Sequence, residues 1–224
     1  MRIIDLELEN QELKQKASLY EGKERVRDKI SLINKNEIQI KKKIAVGGFG
    51  SVFKAIYNNM ECVAKEFDIE YYDPQNPEQN KGNSYLQEII NCAVLKYDHP
   101  NIQSLLACGL DYRDLQDDSH KKAFLVFPYI NGGDLFQFVK QKKFENYLKQ
   151  NFQDQKSQQR AILEFFLQIS DGIEFLHSQN LFHCDLKPDN IMVQISPDQK
   201  SIRPIIIDYG ISYFKNTKTM EVAI

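Results

Sequence analysis

The chain carries His183-Cys184-Asp185-Leu186-Lys187-Pro188-Asp189-Asn190, followed further on by Asp208-Tyr209-Gly210. This sets a carboxylate, a lysine and an amide on one short segment, with a second carboxylate close behind. These groups suit the transfer of a phosphoryl group from a metal-bound nucleotide to a hydroxyl. Upstream stand a glycine-rich turn, Gly47-Gly48-Phe49-Gly50-Ser51-Val52, and a lysine inside an apolar run, Cys62-Val63-Ala64-Lys65-Glu66-Phe67.

A glycine turn alone is weak evidence, and its context decides what it is. A dinucleotide-binding turn leads straight into a helix, whereas Val52, Phe53, Ala55 and Ile56 lead into another strand and the turn signal Asn58-Asn59. A phosphate loop of the Walker type is excluded because no lysine follows Gly50-Ser51.

Composition narrows the class further. With 224 residues, 42% of them hydrophobic, the chain can bury one good core or two lobes. Its 29 basic and 31 acidic residues give a formal charge of -2, which offers no long-range attraction for nucleic acid or an anionic membrane. The longest apolar runs, Ala123 to Pro128 and Pro204 to Ile207, fall far short of the roughly 18 residues a spanning helix needs. The acidic residues in Met1-Arg2-Ile3-Ile4-Asp5-Leu6-Glu7 do not suit a secretory signal, so a cytoplasmic location is expected. Cys62, Cys92, Cys108 and Cys184 lack close paired spacing and read as reduced thiols.

Periodicity divides the chain. Residues 1–36 read as an N-terminal extension, with Leu13, Leu19, Val26, Ile30 and Ile33 at loosely helical intervals. Strand-like alternation from Ile38 predicts a meander through Lys65, and a helix is expected over about Ser84 to Tyr97 with Leu86, Ile89, Ile90 and Val94 inward. Further strands are expected at Ile102 to Cys108 and Phe124 to Pro128. After Asn131-Gly132-Gly133 the period turns helical, over Asp134 to about Leu148 and Gln158 to Ser178, with Ile162, Phe165, Phe166, Ile169, Ile173 and Leu176 on one buried face.

In this order the motifs resemble those of the eukaryotic protein kinase family, serine/threonine type, from the first strand of its small lobe to just past the metal-binding aspartate. The resemblance implies an α+β fold of two lobes, an antiparallel five-stranded small lobe with one main helix over 37–130 and an incomplete, mainly helical large lobe over 131–224. It implies ATP and Mg2+, with Asp185 and Lys187 catalytic and Asn190 and Asp208 on metal. The nucleotide falls to Ile44, Ala45, Val46, Gly47, Gly48, Phe49, Gly50, Val52, Lys65, Glu88 and Ile130. Glu88 is the implied ion-pair partner of Lys65. The spacing from Glu88 to His99 exceeds the family's, and extra residues within the helix would rotate Glu88 away, so the insertion is expected after the helix. Leu125 to Leu135 is similar to the segment linking the lobes, with Phe127 closing the back of an adenine pocket. His183 is read as a core histidine that supports the loop.

Three single residues depart from the family's pattern. Ala45 stands at the first glycine position, which predicts ordinary backbone there. Cys184 replaces the usual arginine, so phosphorylation at Thr217 or Thr219 is not expected to switch activity by the common route. Tyr209 stands where phenylalanine is commonest, with its ring expected against His183. After Asp208 only sixteen residues follow, without an Ala-Pro-Glu motif or later helices. That implies a fragment or truncated product whose exposed large-lobe surface is covered by a partner or a missing lobe. The expected activity is transfer of the γ-phosphoryl of Mg-ATP to a serine or threonine hydroxyl of a protein. The alternatives are a catalytically silent, kinase-like ATP-binding or regulatory module, and a small-molecule kinase of similar fold.

Overall fold

The computed structural model describes residues 31–47, 50–69, 88, 89, 91, 92, 95, 98–111 and 121–214. The chain divides into two compact units, Met1–Tyr97 with Leu105–Phe127 and Asp98–Ser104 with Pro128–Ile224.

The first unit is built on a sheet. Strands β2 (Ile38–Gly47), β3 (Gly50–Tyr57) and β4 (Met60–Ile69) form an antiparallel meander. Asn58 and Asn59 both adopt positive φ, 48° and 61°, making the two-residue hairpin turn whose twist matches the flanking strands. β2 is an edge strand, and two register shifts, between Ile40 and Lys42 and between Lys43 and Ala45, interrupt its ladder. Bulges and the exposed lysines 41–43 blunt an edge that would otherwise invite pairing with another chain.

β5 (Ala107–Asp111) and β6 (Lys121–Pro128) complete the meander's other side. The expected count of five strands is corrected: among the described residues the sheet has six, with β1 (Ser31–Leu32) at one edge, in the order β1-β5-β6-β4-β3-β2. The addition is β1, which pairs in parallel with Ala107 and Cys108. Ile33 follows it into the core, its N–H donating to Cys108 O at 3.0 Å. Residues 31–33 are therefore part of the sheet's packing. The periodicity before Ile38 could not reveal this, because a two-residue strand carries no alternation. Leu13, Leu19, Val26 and Ile30 lie outside the described residues.

The sheet has two apolar faces. Ile33, Ile38, Ala55, Cys62, Ala64, Phe124 and Val126 pack on one. Phe67, Leu105, Cys108, Leu125 and Phe127 pack on the other, against Ile89 and Cys92. Glu88, Ile89, Asn91 and Cys92 are helical; the rest of the helix expected over 84–97 lies almost wholly outside the described residues.

The expected strand from Ile102 begins later, at Ala107. Residues 101–103 hydrogen-bond elsewhere: Ile206 N–H donates to Asn101 O at 2.8 Å and Gln103 N–H to Ile206 O at 3.0 Å. The buried Asn101 side chain adds a 2.8 Å bond to Pro204 O. These partners belong to the second unit and carry 98–104 into it.

In the second unit, α1 (Leu135–Lys140) starts at Asp134, whose side chain accepts from Gln137 N–H at 2.7 Å. The single helix expected to Leu148 is two, because Lys142 takes a left-handed conformation (φ 57°) before α2 (Lys143–Asn151). α3 (Gln155–Ser178) is capped by Asp154 through Ser157 N–H at 2.9 Å. Its buried stripe is Phe165, Ile169, Gly172 and Leu176, spaced four, three and four apart. Phe144 meets Phe165 edge-on at 5.2 Å, and His99 stacks on Phe175 at 4.9 Å. The expected inward set is corrected at Phe166, which is 52% exposed beside exposed Leu163 and Leu167. The unit ends in β7 (Leu181–Phe182), the hairpin β8 (Ile191–Ile195) and β9 (Ile202–Ile206), and β10 (Tyr213–Phe214), which pairs with β7.

Candidate active site

The loop between β7 and β8 holds itself in shape through its own polar groups. Asn190, closing a 3-10 turn over Pro188–Asn190, gives both side-chain amide hydrogens to Asp185, one to its backbone O and one to Oδ2, each at 2.9 Å. Lys187 Nζ donates to the same Oδ2 at 2.6 Å. Both acceptors are oxygens, so the amide nitrogen must face Asp185, and Asn190 Oδ1 is turned to other use. Asp185 Oδ1 takes no partner among the described residues. The carboxylate is thus fixed by one oxygen and presents the other. Chiefly through the Lys187 hydrogen bond, Asp185 is held below the usual carboxylate range, and in return Lys187 is raised.

His183 braces this loop from behind. Its Nδ1 accepts from Asp185 N–H at 3.3 Å, so Nε2 carries the hydrogen and donates to Ile207 O at 2.8 Å. The neutral Nε2–H tautomer follows from these two partners. Tyr209 is fully buried, meets the His183 ring edge-on at 5.8 Å, and donates its hydroxyl to Ile206 O at 2.9 Å. That bond makes tyrosine acceptable where the interior would otherwise hold an unpaired hydroxyl.

The hairpin brings the second carboxylate to this end. In the β8–β9 register Ile191 faces Ile206, and the next bond, Ile207 N–H to Asn190 O at 3.0 Å, extends it by one step. Asp208 therefore follows directly on the residue paired with Asn190, although eighteen positions separate the two in sequence. Asp208 has positive φ, 67°, as does Cys184 at 62°. Left-handed backbone at two non-glycine residues around one loop is strain of the kind functional loops store.

Asn131 is a residue the sequence reading passed over as a mere turn. Its Oδ1 accepts from Ile195 N–H at 2.8 Å and its Nδ2 donates to Ile195 O at 3.0 Å. Gly132 N–H to Val193 O and Val193 N–H to Gly133 O, both 2.8 Å, fasten the same turn to β8. The adjoining glycines were the available signal: a Cβ on Gly132 would lie 2.3 Å from Val193 O.

The first unit holds the remaining candidates apart from Ile130, which belongs to the second. Lys65 Nζ donates to both oxygens of Glu88, at 2.8 and 3.0 Å, and Glu88 is buried. The pair joins strand β4 to a helical residue 23 positions away. In the glycine turn, Gly47 faces Gly50, Ala45 faces Val52, and Val52 faces Lys65. Ala45 is extended, not left-handed. Gly50 has φ 150°, and a Cβ there would lie 2.0 Å from Glu66 O. Gly48 and Phe49 lie outside the described residues. Ile44 and Val46 are exposed, at 43% and 73%, while Phe127 and Ile130 are buried. The structure thus gathers Gly50, Val52, Lys65 and Glu88 in one unit and Asp185, Lys187, Asn190 and Asp208 in the other.

Comparison with known proteins identifies the class. The family model described as protein kinase domain matches residues 38–223, and the chain belongs to this family. It is 25% identical over 186 residues to the serine/threonine-protein kinase ksp1 of Schizosaccharomyces pombe, covering 82% of this chain and 35% of that protein. It is 28% identical to the human serine/threonine-protein kinase Nek5, covering 81% and 22%, and 24% identical to mouse tyrosine-protein kinase Mer, covering 81% and 17%. The chain spans about a third or less of the length of these relatives. The family transfers phosphoryl groups to proteins and generally uses ATP and Mg2+. No helix among the described residues is long and apolar enough to cross a membrane.

Proposed function

We propose that this chain binds Mg-ATP and transfers its γ-phosphoryl group to a serine or threonine hydroxyl of a protein substrate. The observation that carries the reading is the state of Asp185: a carboxylate fixed through Oδ2 by Lys187 and Asn190, with Oδ1 free to accept the hydrogen of an attacking hydroxyl. In this reading Asp185 orients the hydroxyl and takes its proton as the bond to phosphorus forms, while the Lys187 ammonium offsets charge on the moving phosphoryl group. Lysine at position 187 also supports the serine/threonine assignment, since it is similar to that branch of the family; relatives of both specificities match the chain.

Asn190 and Asp208 would hold Mg2+. Their donors, an amide oxygen turned away from Asp185 and a carboxylate, are the hard oxygen ligands this ion takes with a few waters and phosphate oxygens. When bound it would neutralise charge on the β- and γ-phosphates. Lys65, braced by Glu88, would hold the α- and β-phosphates, and the glycine turn would offer backbone N–H groups.

The test is Mg-ATP binding by calorimetry, with and without Mg2+, beside phosphate transfer to a generic protein substrate. Mg2+-dependent binding that is lost in Asp208→Ala, with transfer to serine or threonine lost in Asp185→Asn, is the expected result. Binding without transfer would instead identify a silent nucleotide-binding module, and absence of binding would remove the reading.

A further inference from the structure

Three features of the first unit meet at Glu66, a residue to which the motif reading gave no role. Its backbone carbonyl lies against Gly50, so closely that any side chain at that position would collide with it. Its chain neighbour is Lys65, paired with Glu88. Its own carboxylate accepts from Lys35 Nζ at 2.6 Å through Oε1, and Lys122 Nζ stands 3.5 Å from Oε2. Lys35 and Glu66 side chains are each only 11% exposed. Successive strand residues point to opposite faces. Glu66 is therefore on the face shared with Ile33 and Phe124, and Lys65 on the face shared with the helical residues.

Lys35 lies before the matched region of the family, which begins at Ile38. Its segment is nonetheless built into the sheet. Ser31 and Leu32 pair with β5, Ile33 is buried, and Asn34 N–H donates to Glu37 Oε1 at 2.7 Å across the 3-10 turn that presents Lys35. Gly109 is shaped to receive it: a Cβ there would stand 2.0 Å from Ile33 O.

We propose that Lys35 is a positioning residue: through its shielded ion pair with Glu66, residues 31–37 hold β4 in the register that sets Lys65 and the glycine turn. The mechanism is mechanical. An ion pair shielded from water resists separation because each charge loses its close partner where solvent cannot replace it; Lys122, more exposed and 3.5 Å away, is the weaker of the two cations on Glu66. Fixing Glu66 by its side chain fixes the backbone that carries Lys65 on one side and abuts Gly50 on the other. The inference rests on the assignment of Lys65 and the glycine turn to the nucleotide.

The experiment uses the full chain as wild type and as Lys35→Met, Lys35→Arg and, for comparison, Lys54→Met, which removes the more exposed pair to Glu61 on the same sheet. Mg-ATP affinity is measured by calorimetry, the KM values for ATP and for protein acceptor by kinetics, and amide exchange over 62–67 by mass spectrometry. Lys35→Met should weaken Mg-ATP binding about five- to tenfold and raise KM for ATP while leaving KM for the acceptor unchanged. Lys35→Arg and Lys54→Met should stay within about twofold of wild type. Exchange over 62–67 should quicken in Lys35→Met alone. Wild-type affinity and exchange in Lys35→Met would overturn the proposal. Should Lys35→Met not fold, Glu66→Gln, which weakens the same pair while keeping its shape, is read by the same criteria. If wild type itself does not bind Mg-ATP, the nucleotide reading fails separately, and the exchange measurement alone decides whether Lys35 fixes β4.

Discussion

Asn190 and Asp185 are joined by two hydrogen bonds from one side chain, and the amide that makes them has no hydrogen left for any other acceptor. Replacing Asn190 with Asp removes both donors and sets a second negative charge against Asp185. Without these donors Asp185 is no longer held in place, and misplacing a reacting group by about 1 Å costs on the order of a hundredfold, so phosphoryl transfer should fall about a hundredfold. Asn190→Ala should lose comparable activity and weaken the Mg2+ dependence of ATP binding. Single-turnover transfer and Mg2+ titrations of both variants check this; activity near wild type in Asn190→Asp would contradict the arrangement.

The pairing of Asp185 with Lys187 fixes a pH dependence. Lys187 lowers Asp185, so the stabilisation from the ionised carboxylate is fully present above the ordinary carboxylate range and is lost as pH falls through the depressed value. Lys187 is raised by Asp185, so its contribution is complete below the ordinary lysine range and disappears only as pH rises past the raised value. Neither group titrates near neutrality. The rate profile should therefore carry no acid limb from Asp185 between about pH 5 and 8, and Lys187→Met should move that limb upward. Profiles of kcat/KM for the two proteins decide it.

Gly132 and Gly133 are neighbours with opposite constraints. A Cβ on Gly132 strikes Val193 O, whereas one on Gly133 meets nothing within 4 Å and only the positive φ of 82° opposes it. Gly133→Ala should cost about 1 kcal/mol from backbone strain. Gly132→Ala should cost about 3 kcal/mol or more, because the turn must leave β8. Thermal unfolding of the two variants should rank them in that order.

Burial sorts the thiols. Cys108 is pushed up to about 12 by burial, and Cys62 is also raised by burial, while Cys184 is exposed. Iodoacetamide should label Cys184 in the folded protein and reach Cys62 and Cys108 only after denaturation. Peptide mapping by mass spectrometry reads this directly.

Adjacent phenylalanines on α3 should respond differently. Phe165 is buried against Phe144, so Phe165→Ala should lose about 3–5 kcal/mol. Phe166 is half exposed, and Phe166→Ser should change stability by less than about 1 kcal/mol. Denaturant unfolding of both tests which face of the helix is inward.

The nearest-neighbour chemistry was legible in the residues. Asp185, Lys187 and Asn190 lie within six positions, and their contacts follow from a short loop closed by Pro188. Asn58-Asn59 announced its hairpin for the same reason: left-handed backbone is a local property of the residue. What the sequence missed was set at a distance. The phase of α3 was misjudged at Phe166 because Leu163, Phe166 and Leu167 form an apolar stripe of their own, and periodicity cannot tell which of two stripes finds a partner. β1 was missed because its evidence lies in β5, at Ala107 and Cys108.

By itself, then, the sequence determined the order of the motifs, the change from strand to helical period after Gly133, and the shape of the loop around Asp185, since each depends on residues a few bonds apart. Tertiary structure decided which side chains meet across long spans: Lys65 with Glu88, Lys35 with Glu66, Asn101 with Pro204 and Asn190 with the strand ahead of Asp208. Those contacts depend on sheet register and helix rotation, where a slip of one residue turns a side chain to another face. Only the packed chain fixes these relations.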